Sequence, residues 1–74
     1  MEGRDVADET GLVRHLAGLR AAAERLAGSE DEAEDLLQEC LASAMPALGS
    51  VRTPAVLGAW LRQILRRRWY DRLR

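Results

Sequence analysis

The last fifteen residues, 60–74, constrain the fold more than any other part of the chain. Their apolar residues recur at helical spacing, while the other positions carry six Arg and a single acid. An amphipathic helix must bury one face, so this helix needs other helices to pack against. Its guanidinium groups suit phosphates, and its aromatic rings suit stacking on unpaired bases. The segment is therefore predicted to be both a core element and a nucleic-acid-binding surface.

Two more amphipathic helices precede this segment, which predicts an all-α fold. The expected architecture is a compact three-helix bundle with one exposed loop before the last helix. The helices are expected at about residues 9–27, 29–45 and 54–74. They form one domain over residues 9–74, which follows a flexible N-terminus at residues 1–8.

Sequence signals at the helix ends support these boundaries. Gly28 is expected to end the first helix in a left-handed conformation. Ser29 and Glu32 form a capping box, in which Ser29 accepts from a helix amide and Glu32 reaches back to the Ser29 amide. Pro46 is expected to end or bend the second helix at Met45. Thr53 followed by a proline is expected to start the third helix.

The residue types that enzymes and metal sites need are scarce in this chain. One Cys and one His cannot supply a four-ligand zinc site, and the sequence holds no phosphate loop or dinucleotide fingerprint. A 74-residue domain also has little room for a deep cleft. We therefore predict a binding protein with no enzymatic activity, no cofactor and no metal.

The sequence also indicates in which compartment of the cell the protein acts. No apolar run approaches the roughly 20 residues that a membrane span needs, and the charged N-terminus is unlike a secretory signal. A single cysteine, Cys40, excludes an internal disulfide. These features predict a cytoplasmic protein without membrane contact.

The net charge of −1 conceals a strong asymmetry along the chain. Residues 1–39 contain eleven acids and four Arg, a balance of −7, whereas residues 40–74 contain seven Arg and one Asp, a balance of +6. Such a chain offers two electrostatically different surfaces, which favours two kinds of partner. Solvated helix faces that happen to differ in sign are the alternative interpretation.

The aromatic and acidic residues of the last helix have predicted roles of their own. Trp60 is predicted to face the core. For Trp69 and Tyr70, burial and base stacking both fit the sequence, and packing is favoured for Trp69. Asp71 is expected to form ion pairs along the helix surface with Arg three or four residues away.

Two motifs, in the right order and separated by a loop, resemble one family. Residues 33–39, A-E-D-L-L-Q-E, resemble the A-E-D-L-L/V-Q-E stretch of bacterial extracytoplasmic-function sigma factors, members of the sigma-70 family. Residues 59–74 resemble the signature A-W-L-x-x-I-x-R-N-x-x-x-D-x-x-R of the same region 2 domain, with Arg67 in place of the usual Asn. The resemblance covers about residues 12–74.

The resemblance implies a domain that binds the clamp helices of the RNA polymerase β′ subunit and recognises and melts the −10 promoter element. The polymerase-binding residues that it implies lie on the middle helix: Glu34, Asp35, Gln38 and Glu39. The residues implied to contact the non-template DNA strand are Ser50, Arg52 and Thr53 in the loop at residues 46–53, and Arg62, Arg66, Arg67 and Arg68 in the last helix. The family's domain is commonly also bound by an anti-sigma factor.

An alternative function also fits the residues: a small helical protein-interaction or RNA-binding module with an Arg-rich helix and no tie to polymerase. The helix-turn-helix domain with which such sigma factors read the −35 element is not found in this sequence. We therefore expect the chain to be part of a longer sigma factor rather than a stand-alone domain.

Overall fold

The structure, a computed structural model, describes residues 9–51 and 53–74. Its three α-helices are α1 (Glu9–Leu26), α2 (Glu30–Ala44) and α3 (Leu57–Leu73). Two short 3-10 helices, Met45–Ser50 and Pro54–Val56, lie between α2 and α3, and no strand occurs in the described ranges. The predicted all-α three-helix bundle is confirmed. The flexible N-terminus predicted for residues 1–8 lies outside the described residues.

One hydrophobic core joins the three helices. The central helix α2 packs against both α1 and α3, which also contact each other. Each buried leucine contributes about 1.5–3 kcal/mol relative to an exposed one, so this cluster dominates the stability of the domain. Trp60, Ile64 and Trp69 pack at its edge. The buried side chains are Leu12, Leu19, Ala23, Ala33, Leu36, Leu37, Cys40, Ala44, Leu48, Val51, Leu57, Leu61 and Leu65.

The turn between α1 and α2 differs in detail from its prediction. The Glu32 amide donates to Ser29 Oγ at 3.1 Å, as a capping box requires. The Glu32 carboxylate, however, accepts from the Gly28 amide at 3.1 Å and not from the Ser29 amide. The backbone of Gly28 is also not left-handed, so that prediction was wrong. Two side-chain hydrogen bonds therefore fix this turn, and Gly28 does not adopt a positive φ.

The segment between α2 and α3 is more ordered than the predicted exposed loop. Pro46 has no amide to continue the α-helical ladder, and the chain passes into the 3-10 helix Met45–Ser50 directly after Ala44. Leu48 and Val51 are buried in the core, although most of their neighbours are exposed. These two residues anchor the loop to the bundle from both sides of its polar tip.

Helix α3 begins later than predicted because the 3-10 turn Pro54–Val56 precedes it. The Val56 amide donates to the Thr53 carbonyl at 3.0 Å. One turn further, Gly58 is buried against α1, where a Cβ atom would lie 2.9 Å from Cε1 of His15. A larger residue would collide with that ring, so glycine permits the close approach of α1 and α3.

Candidate partner and nucleic-acid interfaces

The outer surface of α2 carries an acidic face, defined by Glu34, Asp35, Gln38 and Glu39. At about 100° of rotation per residue, these positions centre on the side opposite the buried stripe of α2. Asp35, Gln38 and Glu39 are exposed and Glu34 is half-buried. The structure therefore brings the four residues predicted to bind polymerase together on one accessible surface.

Glu34, at one edge of the acidic face, is bonded to a side chain of α1. Arg20 forms an ion pair with Glu34, and Gln38 Nε2 donates to the other carboxylate oxygen of Glu34 at 3.1 Å. The hydrogen bond from Arg20, with a further one from Gln38, lowers the pKa of Glu34 below its usual value. The same contact raises the pKa of Arg20. Glu34 is thus charged and fixed in orientation before any partner arrives.

Glu39, at the other edge of the acidic face, is bonded to a side chain of α3. Arg72 donates from Nη2 to Glu39 Oε2 at 2.9 Å and from Nε to Oε1 at 3.4 Å. These bonds raise the pKa of Arg72. The ion pairs predicted for Asp71 along its own helix are wrong: Asp71 pairs with no residue in the described ranges. The helix surface around Asp71 is exposed, and the arginine beside it reaches across to α2 instead.

The exposed side of α3 carries a basic face, defined by Arg62, Arg66 and Arg67. None of the three side chains has a hydrogen bond or ion pair with another described residue. Arg68 differs, because it donates to Ser43 Oγ from Nε at 3.0 Å and from Nη2 at 2.7 Å. Of the four arginines predicted to contact DNA, three are free within this part of the structure and one is bound to α2.

The aromatic residues of α3 divide between core and surface. Trp60 and Trp69 are partly buried against the core, as predicted. Tyr70 is 56% exposed and lines a shallow groove with Gln63, Arg66 and Arg67. Its ring is therefore accessible for stacking, which the sequence had left open.

The structure describes two of the three loop residues that were predicted to contact DNA. Ser50 is exposed, and its Oγ donates to the Ala47 carbonyl at 2.6 Å. Thr53 is exposed. Arg52 lies outside the described residues.

Cys40 is a core residue. Its side chain is fully buried and its Sγ donates to the Leu61 carbonyl at 3.5 Å. Burial raises the pKa of the thiol to about 11, so it stays protonated at neutral pH. Within the described residues, no group of three His, Cys, Asp or Glu side chains is placed to bind a metal ion. No helix there is long and apolar enough to cross a membrane.

The structure is thus a small helical domain that carries an acidic face on α2 and a basic face on α3. Compared with known families, residues 12–74 match Sigma-70 region 2, and the chain belongs to that family. Domains of this family act in RNA polymerase binding and promoter recognition and are not catalytic. No curated protein and no solved structure matches the chain significantly.

Several contacts of the two faces were not predicted from the sequence. Arg20 lies fourteen residues from Glu34, and Arg72 lies 33 residues from Glu39. Spacing rules within one helix cannot find such pairs, because they depend on how the helices pack. The only signal in the sequence was the surplus of arginine on helices that flank an acidic one.

Proposed function

We propose that the chain is region 2 of an extracytoplasmic-function sigma factor that acts in the cytoplasm. In this proposal the acidic face of α2 binds the β′ clamp helices of RNA polymerase. The basic face of α3 and the loop at residues 46–53 bind the non-template strand of the melted −10 element. The observation that carries the proposal is the separation of two oppositely charged faces on different helices of one rigid bundle.

The acidic face suits a basic partner helix. Asp35 lies at its centre with no ion pair among the described residues, and the Gln38 carbonyl oxygen is free of any hydrogen bond there. Carboxylates that accept from Arg or Lys form short charge-assisted hydrogen bonds, which give specificity and speed the encounter. Because Glu34 is already fixed by Arg20 and Gln38, less side-chain entropy is lost on binding. An anti-sigma factor would compete for this domain.

The basic face suits a single strand more than a duplex. Arg62, Arg66 and Arg67 are free to neutralise phosphates, and Tyr70 offers an accessible ring. Extruding a base costs a few kcal/mol, which contacts in the loop must offset. Ser50, Arg52 and Thr53 are the loop residues proposed for that pocket.

Formation of a ternary complex tests the two-partner arrangement. The 74-residue chain is mixed with a β′ clamp-helix fragment and a labelled single-stranded −10 oligonucleotide, and the species are separated by size with mass detection. We expect a complex with one copy of each component, because the two faces lie on different helices. Displacement of the oligonucleotide by the fragment would contradict the proposal, as would equal affinity for a scrambled oligonucleotide.

A further inference from the structure

A groove between α1 and α3 includes Arg62 and Arg66 of the basic face and extends onto α1, which contacts neither partner in the proposed function. Two helices contribute to it, and its volume is about 170 Å³. Its residues are three cations and three apolar side chains: Arg25, Arg62, Arg66, Ala22, Leu26 and Leu65. A cationic rim over an apolar floor is the chemistry of a site for an anion attached to a less polar group.

The three cations of this groove have no anionic partner in the described structure. Arg25, Arg62 and Arg66 are all exposed and form no ion pair or side-chain hydrogen bond there. Arg20 and Arg72, by contrast, form ion pairs with Glu34 and Glu39. Like charges that share one groove repel each other unless an anion lies between them.

The size of the groove limits what it can bind. Small-molecule pockets begin at about 300 Å³, so a groove of about 170 Å³ is small for a cofactor. A folded protein partner needs a broad contact surface, and this groove is too small to provide one. One phosphate with its sugar is a suitable occupant, since guanidinium groups bind phosphate oxygens in a bidentate manner.

We propose that this groove binds one phosphodiester group of the promoter strand, with the adjoining sugar against the partly buried Ala22 and Leu26. The inference rests on the proposed function, because it needs the strand to lie on α3. It adds a residue of α1, Arg25, to the DNA-binding surface. The path of the strand then crosses from α3 onto α1 at Arg62 and Arg66.

Stabilisation of helix α1 is a simpler role for Arg25, and the test must distinguish that role from DNA binding. It lies in the last turn of α1, where a cation also stabilises the negative end of the helix dipole. That role would affect folding only. Arg14 is the matched control, because it is an exposed arginine of the same helix and does not line the groove.

The test compares Arg25→Ala with Arg14→Ala in the 74-residue chain. Affinity for the single-stranded oligonucleotide is measured by fluorescence anisotropy at several salt concentrations, with thermal unfolding as the check on folding. We expect Arg25→Ala to weaken binding about three- to ten-fold and to reduce the salt slope by about 0.7, the value for one phosphate on a single strand. Arg14→Ala should change affinity less than two-fold, with the slope unchanged.

Two outcomes would contradict the proposal that the groove binds a phosphodiester group, and both would leave the proposed function intact. One is a wild-type affinity in Arg25→Ala while Arg67→Ala, outside the groove, binds weakly. The other is an equal loss in Arg25→Ala and Arg14→Ala, which would mean a general charge effect. If the wild-type chain binds no single strand at all, both proposals fail. The methyl NMR signals of the partly buried Leu26 should also shift on oligonucleotide addition, and those of exposed Leu73 should not.

Discussion

Arg72 and Glu39 join the basic helix α3 to the acidic face of α2. Nη2 of Arg72 lies 2.9 Å from Oε2 of Glu39, and the Arg72 side chain is 25% exposed. A cation of an incoming partner must therefore compete with Arg72 for the Glu39 carboxylate. The pair stabilises the orientation of Glu39 and, at the same time, partly neutralises the surface that is proposed to bind polymerase.

Replacement of Arg72 should strengthen binding to the β′ clamp-helix fragment. Exposed ion pairs contribute about 0.2–1 kcal/mol, so release of Glu39 in Arg72→Ala should raise the affinity up to roughly five-fold and lower the stability of the domain by a similar free energy. Calorimetric titration measures the first effect and urea unfolding the second. Arg74→Ala is the control, because Arg74 is exposed and pairs with no described acid. Equal effects of the two substitutions would contradict the role of the pair.

Neighbouring arginines of α3 should differ in their effect on DNA binding. Arg67 is free, whereas Arg68 is bound to Ser43 through two hydrogen bonds. Arg67→Ala should therefore weaken binding to the single strand several-fold and reduce the salt slope by about 0.7. Arg68→Ala, which removes the same charge, should weaken it less. Anisotropy titrations in parallel compare the two, and a greater loss in Arg68→Ala would show that Arg68 leaves Ser43 to contact the strand.

A double-mutant cycle tests the contact between Gly58 and His15. Alanine is favoured over glycine by about 1 kcal/mol within a helix, but its Cβ would lie 2.9 Å from His15 Cε1. Displacing the His15 ring from its rotamer costs about 0.5–1.5 kcal/mol, so Gly58→Ala alone should give little net gain. In a His15→Ala background the same substitution should stabilise the domain. Urea unfolding of the four proteins measures this difference, and additive effects would mean that the contact is unimportant.

The buried thiol of Cys40 should make the domain less stable at alkaline pH. The pKa of Cys40 is about 11 in the folded chain against 9.0 for an ordinary thiol. Between these pH values the unfolded chain loses the proton and the folded chain keeps it, so unfolding is favoured as pH rises. The loss should be on the order of 2 kcal/mol between pH 9 and 11. Stability measured against pH for the wild type and Cys40→Ala checks this, and parallel curves would contradict it.

The helices were predictable because their signals are local. Ser29 caps α2, Pro46 ends its α-helical geometry, and the apolar residues of each helix recur with one period, so the three segments and the acidic face followed from sequence alone. Gly28 was misjudged because a glycine at a helix end is often left-handed, yet here the Ser29 and Glu32 side chains satisfy the turn.

The remaining features depend on packing between helices. Leu48 and Val51 anchor a segment whose composition reads as an exposed loop, and their burial requires a gap between α2 and α3 that no local pattern reveals. The same holds for Arg68 and Ser43, which lie 25 residues apart. Which arginine is free and which is bound therefore becomes apparent only in the folded bundle.

The proposed function depends above all on binding of the β′ clamp helices by the acidic face of α2. Glu34→Arg would be an ambiguous probe, because it would set a second cation beside Arg20 and disturb the contact of α1 with α2. Asp35 and Gln38 lie at the centre of the face, so Asp35→Arg with Gln38→Ala is the sharper variant. Glu24→Ala, an exposed acid on α1, is the control.

Calorimetric titration of the clamp-helix fragment into these three proteins is the most direct measurement. We expect one-to-one binding by the wild type and by Glu24→Ala. The double variant should bind at least ten-fold more weakly, with its thermal unfolding unchanged. Absence of binding by the wild type, or equal binding by the double variant, would contradict it.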